Sequence, residues 1–284
     1  MFWSTIGTAM KMSLRYIDFM NLLFWSVVTA VILHGIAVWS RGLLKKVVPP
    51  TAKEWRLTLF TGFLNPFLYY IVLLRAYDLL PAQEAGTLNY FWPVMLVLLS
   101  IPVLGQKPGL GGIAGILLGF AGLVVISTHG DPFSMQFSNG FGVLLAVGSA
   151  LIWAVYWLAG MKDTRRDEVK LFSGFVTALI LLTVTMLITG TFRVPSLYGL
   201  LGGVYLGIFE MGITFLLWMK ALHLAPDTAR VSNLVFLSPF ISLIFIHFIV
   251  GEPILTSTFV GLTLVVSGIF VQQLGRRKAA SFRA

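Results

Sequence analysis

The sequence predicts an all-α integral membrane protein of ten transmembrane helices, arranged as two inverted five-helix repeats. Three observations predict it: a shortage of charge, the spacing of the apolar runs, and a duplicated pattern of prolines and glycines. Charged residues make up 11% of the 284 and hydrophobic residues 57%, whereas a soluble domain carries roughly a quarter charged residues. A soluble globule this poor in charge would expose large apolar patches and aggregate, so most of the chain is assigned to the bilayer.

A helix needs roughly 20 apolar residues to cross the hydrocarbon core. The first apolar piece, 1–14, is too short. At 1.5 Å per residue it covers roughly 21 Å of a core about 30 Å thick, so the first helix is expected to be shortened. Full spans follow at about 18–40, 57–77, 82–104, 109–128, 140–161, 170–190, 197–222, 227–250 and 256–274. The connections then sort the twenty basic residues onto two sides. Sixteen fall on one: Arg41, Lys45, Lys46, Lys53, Arg56, Lys107, Lys162, Arg165, Arg166, Lys170, Lys220, Arg230 and the cluster from Arg276 to Arg283. The other side holds only Lys11, Arg15, Arg75 and Arg193. Cytoplasmic loops carry the Lys/Arg excess, so both termini are expected in the cytoplasm. Topology thereby accounts for most of the +9 net charge without a nucleic-acid partner. The "KDTRRDEVK" loop reads as solvated and as a topology signal.

The chain repeats itself. "RAYDLLPAQEAGTLNYFWPVM" from Arg75 matches "KALHLAPDTARVSNLVFLSPFI" from Lys220 at an offset of 145, pairing Ala76 with Ala221 and Pro81 with Pro226. One inserted residue makes the offset 146, pairing Pro93 with Pro239, Gly105 with Gly251, Gly115 with Gly261 and Gly122 with Gly268. The expected units are 1–128, a linker 129–139, a second repeat 140–275 and a basic tail 276–284. Duplicating an odd number of spans forces the copies into opposite orientations, the architecture of secondary transporters with a substrate site between the repeats.

"NYFWPVMLVLLSIPVLGQKP" and "LVFLSPFISLIFIHFIVGEPI" resemble the fourth and ninth helices of the drug/metabolite transporter superfamily, EamA-type branch. Gly251-Glu252 keeps that branch's Gly-Glu turn, while the first half has Gly105-Gln106. The "NYFWP" run is most similar to the branch's aromatic amino-acid exporters. The resemblance implies ten helices around a central cavity, termini inside, in a bacterial inner (plasma) membrane. It also implies that transport runs outward.

Glu210 maps onto Asn65 through the offset, so each repeat places a polar group at the same depth. A charge at the bilayer centre costs about 2.5–3.5 kcal/mol on insertion scales. Such an acid either faces a hydrated cavity or serves, neutral, as interhelical glue. Tyr69 lies one helical turn beyond Asn65 and is expected on the same face, with Tyr70 the alternative. Trp153, Tyr156 and Trp157 share a stripe of the sixth span. Asn89, Tyr90 and Trp92 adjoin Pro93. Rings with a few amides suit a substrate with an apolar body and polar ends. An ammonium is expected to meet Glu210 or aromatic faces, and a carboxylate Asn65, Asn89 or Asn233. Trp39, Trp55 and Trp218 read as interfacial. Pro93 and Pro239 read as paired hinges or static kinks. Gly111, Gly115, Gly119 and Gly122, echoed by Gly261 and Gly268, read as a close helix-packing strip within a monomer or as the seam of a weak homodimer.

The sequence has no cysteine, and its four histidines (His34, His129, His223, His247) are scattered. Neither a metal site nor a catalytic set is legible, and no cofactor is expected. The expected function is carriage of small organic solutes, amino acids and aromatic ones among them, by alternating access. Drug or nucleotide-sugar efflux and a pore stay open as alternatives; a nucleotide cargo would want cavity-facing cations, and the mid-span segments supply none.

Overall fold

A computed structural model describes residues 2–48, 51–104, 109–131, 133, 138–224 and 237–281. Among them the chain is all-helical, with no strand. The helices are α1 (Phe2–Ser13), α2 (Phe19–Ser40), α3 (Ala52–Leu79), α4 (Ala82–Val103) and α5 (Leu110–Ser127). The second half contributes α6 (Gly140–Gly160), α7 (Asp167–Thr189), α8 (Leu197–Trp218), α9 (Ser238–Val250) and α10 (Thr256–Ser281). Seven, α2 to α8, are long and apolar enough to cross a bilayer; α1, α9 and the apolar part of α10, Thr256–Val271, are shorter. The stretch 225–236, which carries Asn233, lies outside the described residues.

Local chemistry sets the ends. The Asp18 carboxylate accepts from the amides of Met20 and Asn21 at the start of α2, and Thr51 with Glu54 forms a capping box on α3. These groups satisfy amide donors that an α-helix leaves orphaned. Gly190 ends α7 in the left-handed region, φ 63°, where glycine carries no Cβ penalty.

α5 with α10, and α2 with α7, pack against each other and run antiparallel. Along α5 and α10, the position of a Cβ on Gly122 would be 2.5 Å from the Gly261 carbonyl, while one on Gly268 would be 2.6 Å from that of Gly115. Only glycines allow backbones this close, and dispersion between them replaces a hydrophobic drive that lipid cannot supply. Along α2 and α7, Asn21 bonds the Thr191 carbonyl, His34 stacks on Phe175 and Arg41 pairs with Glu168. The main core sits between α2, α3, α7 and α8, around Leu22, Leu23, Val27, Tyr70 and Leu74.

Two helices are interrupted at equivalent places. α3 widens to a π-helical turn over Phe63–Leu68 and α8 over Gly207–Gly212. Such turns release a backbone group and appear frequently at functional sites. α4 is broken at 90–91, so Pro93 falls in the first turn of its second part rather than inside a continuous helix. Pro239 likewise lies at the start of α9 as described. Proline is tolerated there because that N–H needs no helical acceptor.

The bundle has a basic end and an opposite end. At the basic end Lys162, Thr164 and Arg166 of "KDTRRDEVK" are exposed, but the expectation of a solvated loop fails at two charges. The Asp163 and Arg165 side chains are only 5% and 10% exposed, joined at 2.7 Å, and Arg165 also donates to Thr58 at 2.7 Å. Pairing lets both charges leave water. Burial opposes ionisation of Asp163, but hydrogen bonds and charge from Arg165 prevail and hold its carboxyl below the usual range. At the opposite end the Lys11 ammonium donates to the carbonyls of Tyr77 (2.8 Å) and Leu80 (2.6 Å), at the C-terminus of α3. The Glu252 carboxylate accepts from the amides of Ala82 (2.9 Å) and Gln83 (3.3 Å), at the N-terminus of α4. A cation on the carbonyl end and an anion on the amide end are each favoured by the helix dipole.

Candidate substrate cavity

A cavity of about 320 Å³ lies between α1, α3, α4, α6, α8 and α9. Tyr69 and Trp153 stack across it with ring centroids 4.6 Å apart, and Phe215 meets Trp153 edge-on at 5.9 Å. Trp3 and Trp218 pack at 5.3 Å. Trp218 therefore lines the cavity rather than marking the membrane interface, whereas Trp39 and Trp55 are exposed as expected. Tyr90, Trp92 and Trp157 complete the aromatic wall.

Glu210 supplies the only carboxylate on this wall among the described residues. The widened turn of α8 sets its place. Gly207 brings that turn against α2, where a Cβ would lie 2.5 Å from the Ser26 carbonyl, and His34 of α2 bonds the Met211 carbonyl at 2.9 Å. The Tyr70 hydroxyl then donates to Glu210 Oε1 at 2.8 Å. Glu210 Oε2 has no hydrogen-bond partner among the described residues. A fixed carboxylate with one oxygen held and the other buried and unpaired, amid rings, suits a cation with an apolar body.

Other polar groups are already engaged. Asn89 donates to Ser149 at 2.8 Å and accepts from Tyr69 at 3.2 Å, so its amide fixes a cavity ring. Gln83, Thr87 and Ser242 line the wall, with Thr87 bonded to the Gln83 carbonyl at 2.5 Å.

Asn65 and Tyr156 line a second, smaller pocket instead, about 160 Å³, at the basic end between α3, α6 and α7. The helical spacing that would have put Asn65 on the face of Tyr69 does not hold, because Asn65 itself leaves helical geometry (φ −144°, ψ 124°) inside the π-helical turn. Its amide lies beside the Tyr156 hydroxyl without closing a well-formed hydrogen bond. Of the sequence-selected residues, then, Glu210, Tyr69, Asn89, Tyr90, Trp92, Trp153, Trp157 and Pro239 meet at the main cavity. Tyr70, named as the alternative to Tyr69, reaches the site through Glu210, while Trp3, Tyr77, Phe215 and Ser242 of the cavity wall were not selected. The rotation of α3 past its widened turn had no signal in the sequence.

A membrane chain that, among its described residues, is all-helical and folded around an aromatic cavity with a single acid has the build of a small-solute transporter. The chain belongs to the EamA-like transporter family, which it matches over residues 1–128 and 140–272. It is similar to an uncharacterized transporter, YvbV, of Bacillus subtilis, 29% identical over 231 residues that cover 76% of this chain and 71% of the relative. It is also similar to the aromatic amino acid exporter YddG of Ancylobacter novellus, 32% identical over 159 residues, 54% of this chain and 53% of that protein. A solved crystal structure superposes with a TM-score of 0.69 at 25% identity, covering 96% of this chain and 94% of its own. These relatives mark a multi-pass membrane transporter rather than an enzyme.

Proposed function

We propose that the protein carries amino acids, aromatic ones included, outward by alternating access through the cavity between two oppositely inserted halves. The observation that carries this reading is Glu210, oriented by Tyr70 and surrounded by indole and phenol rings. The ammonium of the cargo meets Glu210 and its ring stacks on Tyr69 and Trp153, where such contacts are worth about 0.5–1.5 kcal/mol beyond area burial. The volume lies at the lower end of the roughly 300–1,000 Å³ of small-molecule sites. The similarity to an aromatic amino acid exporter supports the same class of cargo. Among the described residues no Lys or Arg lines the cavity, which disfavours a nucleotide.

The antiparallel pairs of equivalent helices, α5 with α10 and α2 with α7, support the inverted arrangement, because a two-fold in the membrane plane reverses each helix onto its copy. The charge distribution supports a cytoplasmic basic end. In the described state Ala82 and Gln83 are buried at the opposite end of the cavity, while Met161, toward the basic end, is 71% exposed. These exposures support a site closed behind the Lys11 and Glu252 caps and open toward the basic end, which this reading takes as cytoplasmic. Pro93 and Pro239, each beginning a helical segment, are the proposed bending points.

Flux into proteoliposomes from a panel of radiolabelled amino acids, with unlabelled competitors and with or without a pH gradient, tests this. Saturable phenylalanine and tryptophan flux is expected. Absence of amino-acid flux from a folded preparation would reject the reading in favour of drug-like solutes.

A further inference from the structure

We propose that the smaller pocket at the basic end is a second binding site, a loading subsite that takes the zwitterionic head group of an aromatic amino acid before it enters the main cavity. The inference rests on the amino-acid reading above and adds where the cargo first binds. The two spaces are neighbours: Trp157, Met161 and Phe215 line both and form the partition between them.

The chemistry of the pocket is that of a zwitterion's complement. Asp163 and Lys170 both line it. Asp163 is neutralised by Arg165, and Lys170 lies 2.7 Å from Asp167. Lys170 Nζ also donates to the backbone carbonyl of Asp163 at 3.5 Å, which ties the cation to the Asp163 turn. With each charge balanced, the pocket favours a ligand that is neutral overall but carries both signs, over a net anion or a net cation. Lys170 is the donor for a carboxylate and Asp163 the acceptor for an ammonium. Asn65 lines the same pocket, buried, and among the described residues neither its Oδ1 nor its Nδ2 closes a well-formed hydrogen bond, the Tyr156 hydroxyl lying beside them. Buried amides are almost always paired, and an unpaired one in a native structure calls for an explanation. A ligand offering a carboxylate and an ammonium satisfies both of its atoms. Phe175 and Tyr156 supply apolar walls. At half the volume of the main cavity the pocket holds the head group while the ring reaches toward Phe215.

The test uses the sidedness of the site. Half-saturation for radiolabelled phenylalanine is measured in inside-out and right-side-out vesicles for the wild type, Lys170→Gln, Lys170→Arg and Asn65→Leu. Substrate offered at the basic end should show a half-saturation about tenfold higher in Lys170→Gln and Asn65→Leu, the loss of one charge-assisted or paired hydrogen bond, with partial recovery in Lys170→Arg. Substrate offered at the other face should change less than twofold. Because the chain has no cysteine, Gly160→Cys provides a reporter that does not depend on those variants folding. Gly160 lines the pocket and a Cβ there meets nothing within 4 Å. Phenylalanine should protect it from a maleimide, also when Glu210→Gln weakens the main site. Equal changes at both faces, or labelling of Gly160→Cys that phenylalanine does not slow, would overturn the subsite while leaving amino-acid transport standing. Absence of amino-acid flux in the wild type would overturn both.

Discussion

Tyr70→Phe isolates the contact on which the substrate reading depends. Tyr70 is fully buried and its hydroxyl donates to Glu210 Oε1 at 2.8 Å. The substitution removes one oxygen and leaves the ring, so packing is nearly conserved. A hydrogen bond to a charged group contributes about 1.5–3 kcal/mol. Without it Glu210 is no longer held toward the cavity, since Oε2 has no partner to take over. If that orientation serves the ammonium of the cargo, binding weakens by a similar amount, on the order of 10- to 100-fold. Glu210→Gln complements the test: its amide oxygen keeps the Tyr70 bond and only the charge is lost. Competition by phenylalanine against a labelled tracer, in proteoliposomes of wild type, each single variant and the double variant, gives the four corners of a cycle. The account expects both single variants to lose affinity and the double variant to lose less than their sum, because the bond orients the charge. Wild-type affinity in both singles, with only a fall in thermal stability, would refute the reasoning and make Glu210 interhelical glue.

Three further outcomes concern the scaffold. Gly122→Val should lower thermal stability by about 1–3 kcal/mol or more through overpacking, because a Cβ there would be 2.5 Å from the Gly261 carbonyl. Gly148→Ala, where a Cβ meets nothing within 4 Å, serves as the control; equal melting shifts would contradict the close α5–α10 contact. Glu252→Ala removes the acceptor for the Ala82 and Gln83 amides and should cost about 0.5–2 kcal/mol, as lost helix caps do. Detergent unfolding that is unchanged would show the cap to be idle. The Asp163–Arg165 pair gives a pH dependence. Asp163 has a depressed pKa in the folded protein, so its stabilisation is complete above the ordinary carboxyl value of about 4 and is lost as pH falls below it through the folded value. Asp163→Asn should flatten the acid limb of a melting-temperature profile below about pH 4; an unchanged limb would assign acid sensitivity elsewhere.

Much of this was legible in the sequence because lipid constrains backbones so strictly. Apolar length and charge placement marked the spans, and the glycine strips marked a close helix contact without choosing between one inside the monomer and a seam between copies. The pairing of Asn65 with Glu210 put a polar group at one depth in each repeat, yet announced neither the widened turns nor the direction of Asn65. A π-helical turn shifts the register of everything beyond it, and no side-chain pattern in "GFLNPFLYY" announces one. The same shift explains why Tyr70, rather than Asn65, faces Glu210. Asp163 and Arg165 were misread because isolated charges belong in water, and only the fold reveals that these two neutralise each other in place. His34 was passed over for lack of a partner in the sequence; its acceptor, the Met211 carbonyl, is presented by the widened turn of α8.

Counterflow tests the central claim most directly. Proteoliposomes loaded with excess unlabelled phenylalanine and diluted into tracer should take up label transiently above its equilibrium level, with a half-saturation that tryptophan competes for. Label that only relaxes to equilibrium, at a rate proportional to its concentration and indifferent to the internal load, would mean a pore and contradict a carrier with one alternately exposed site.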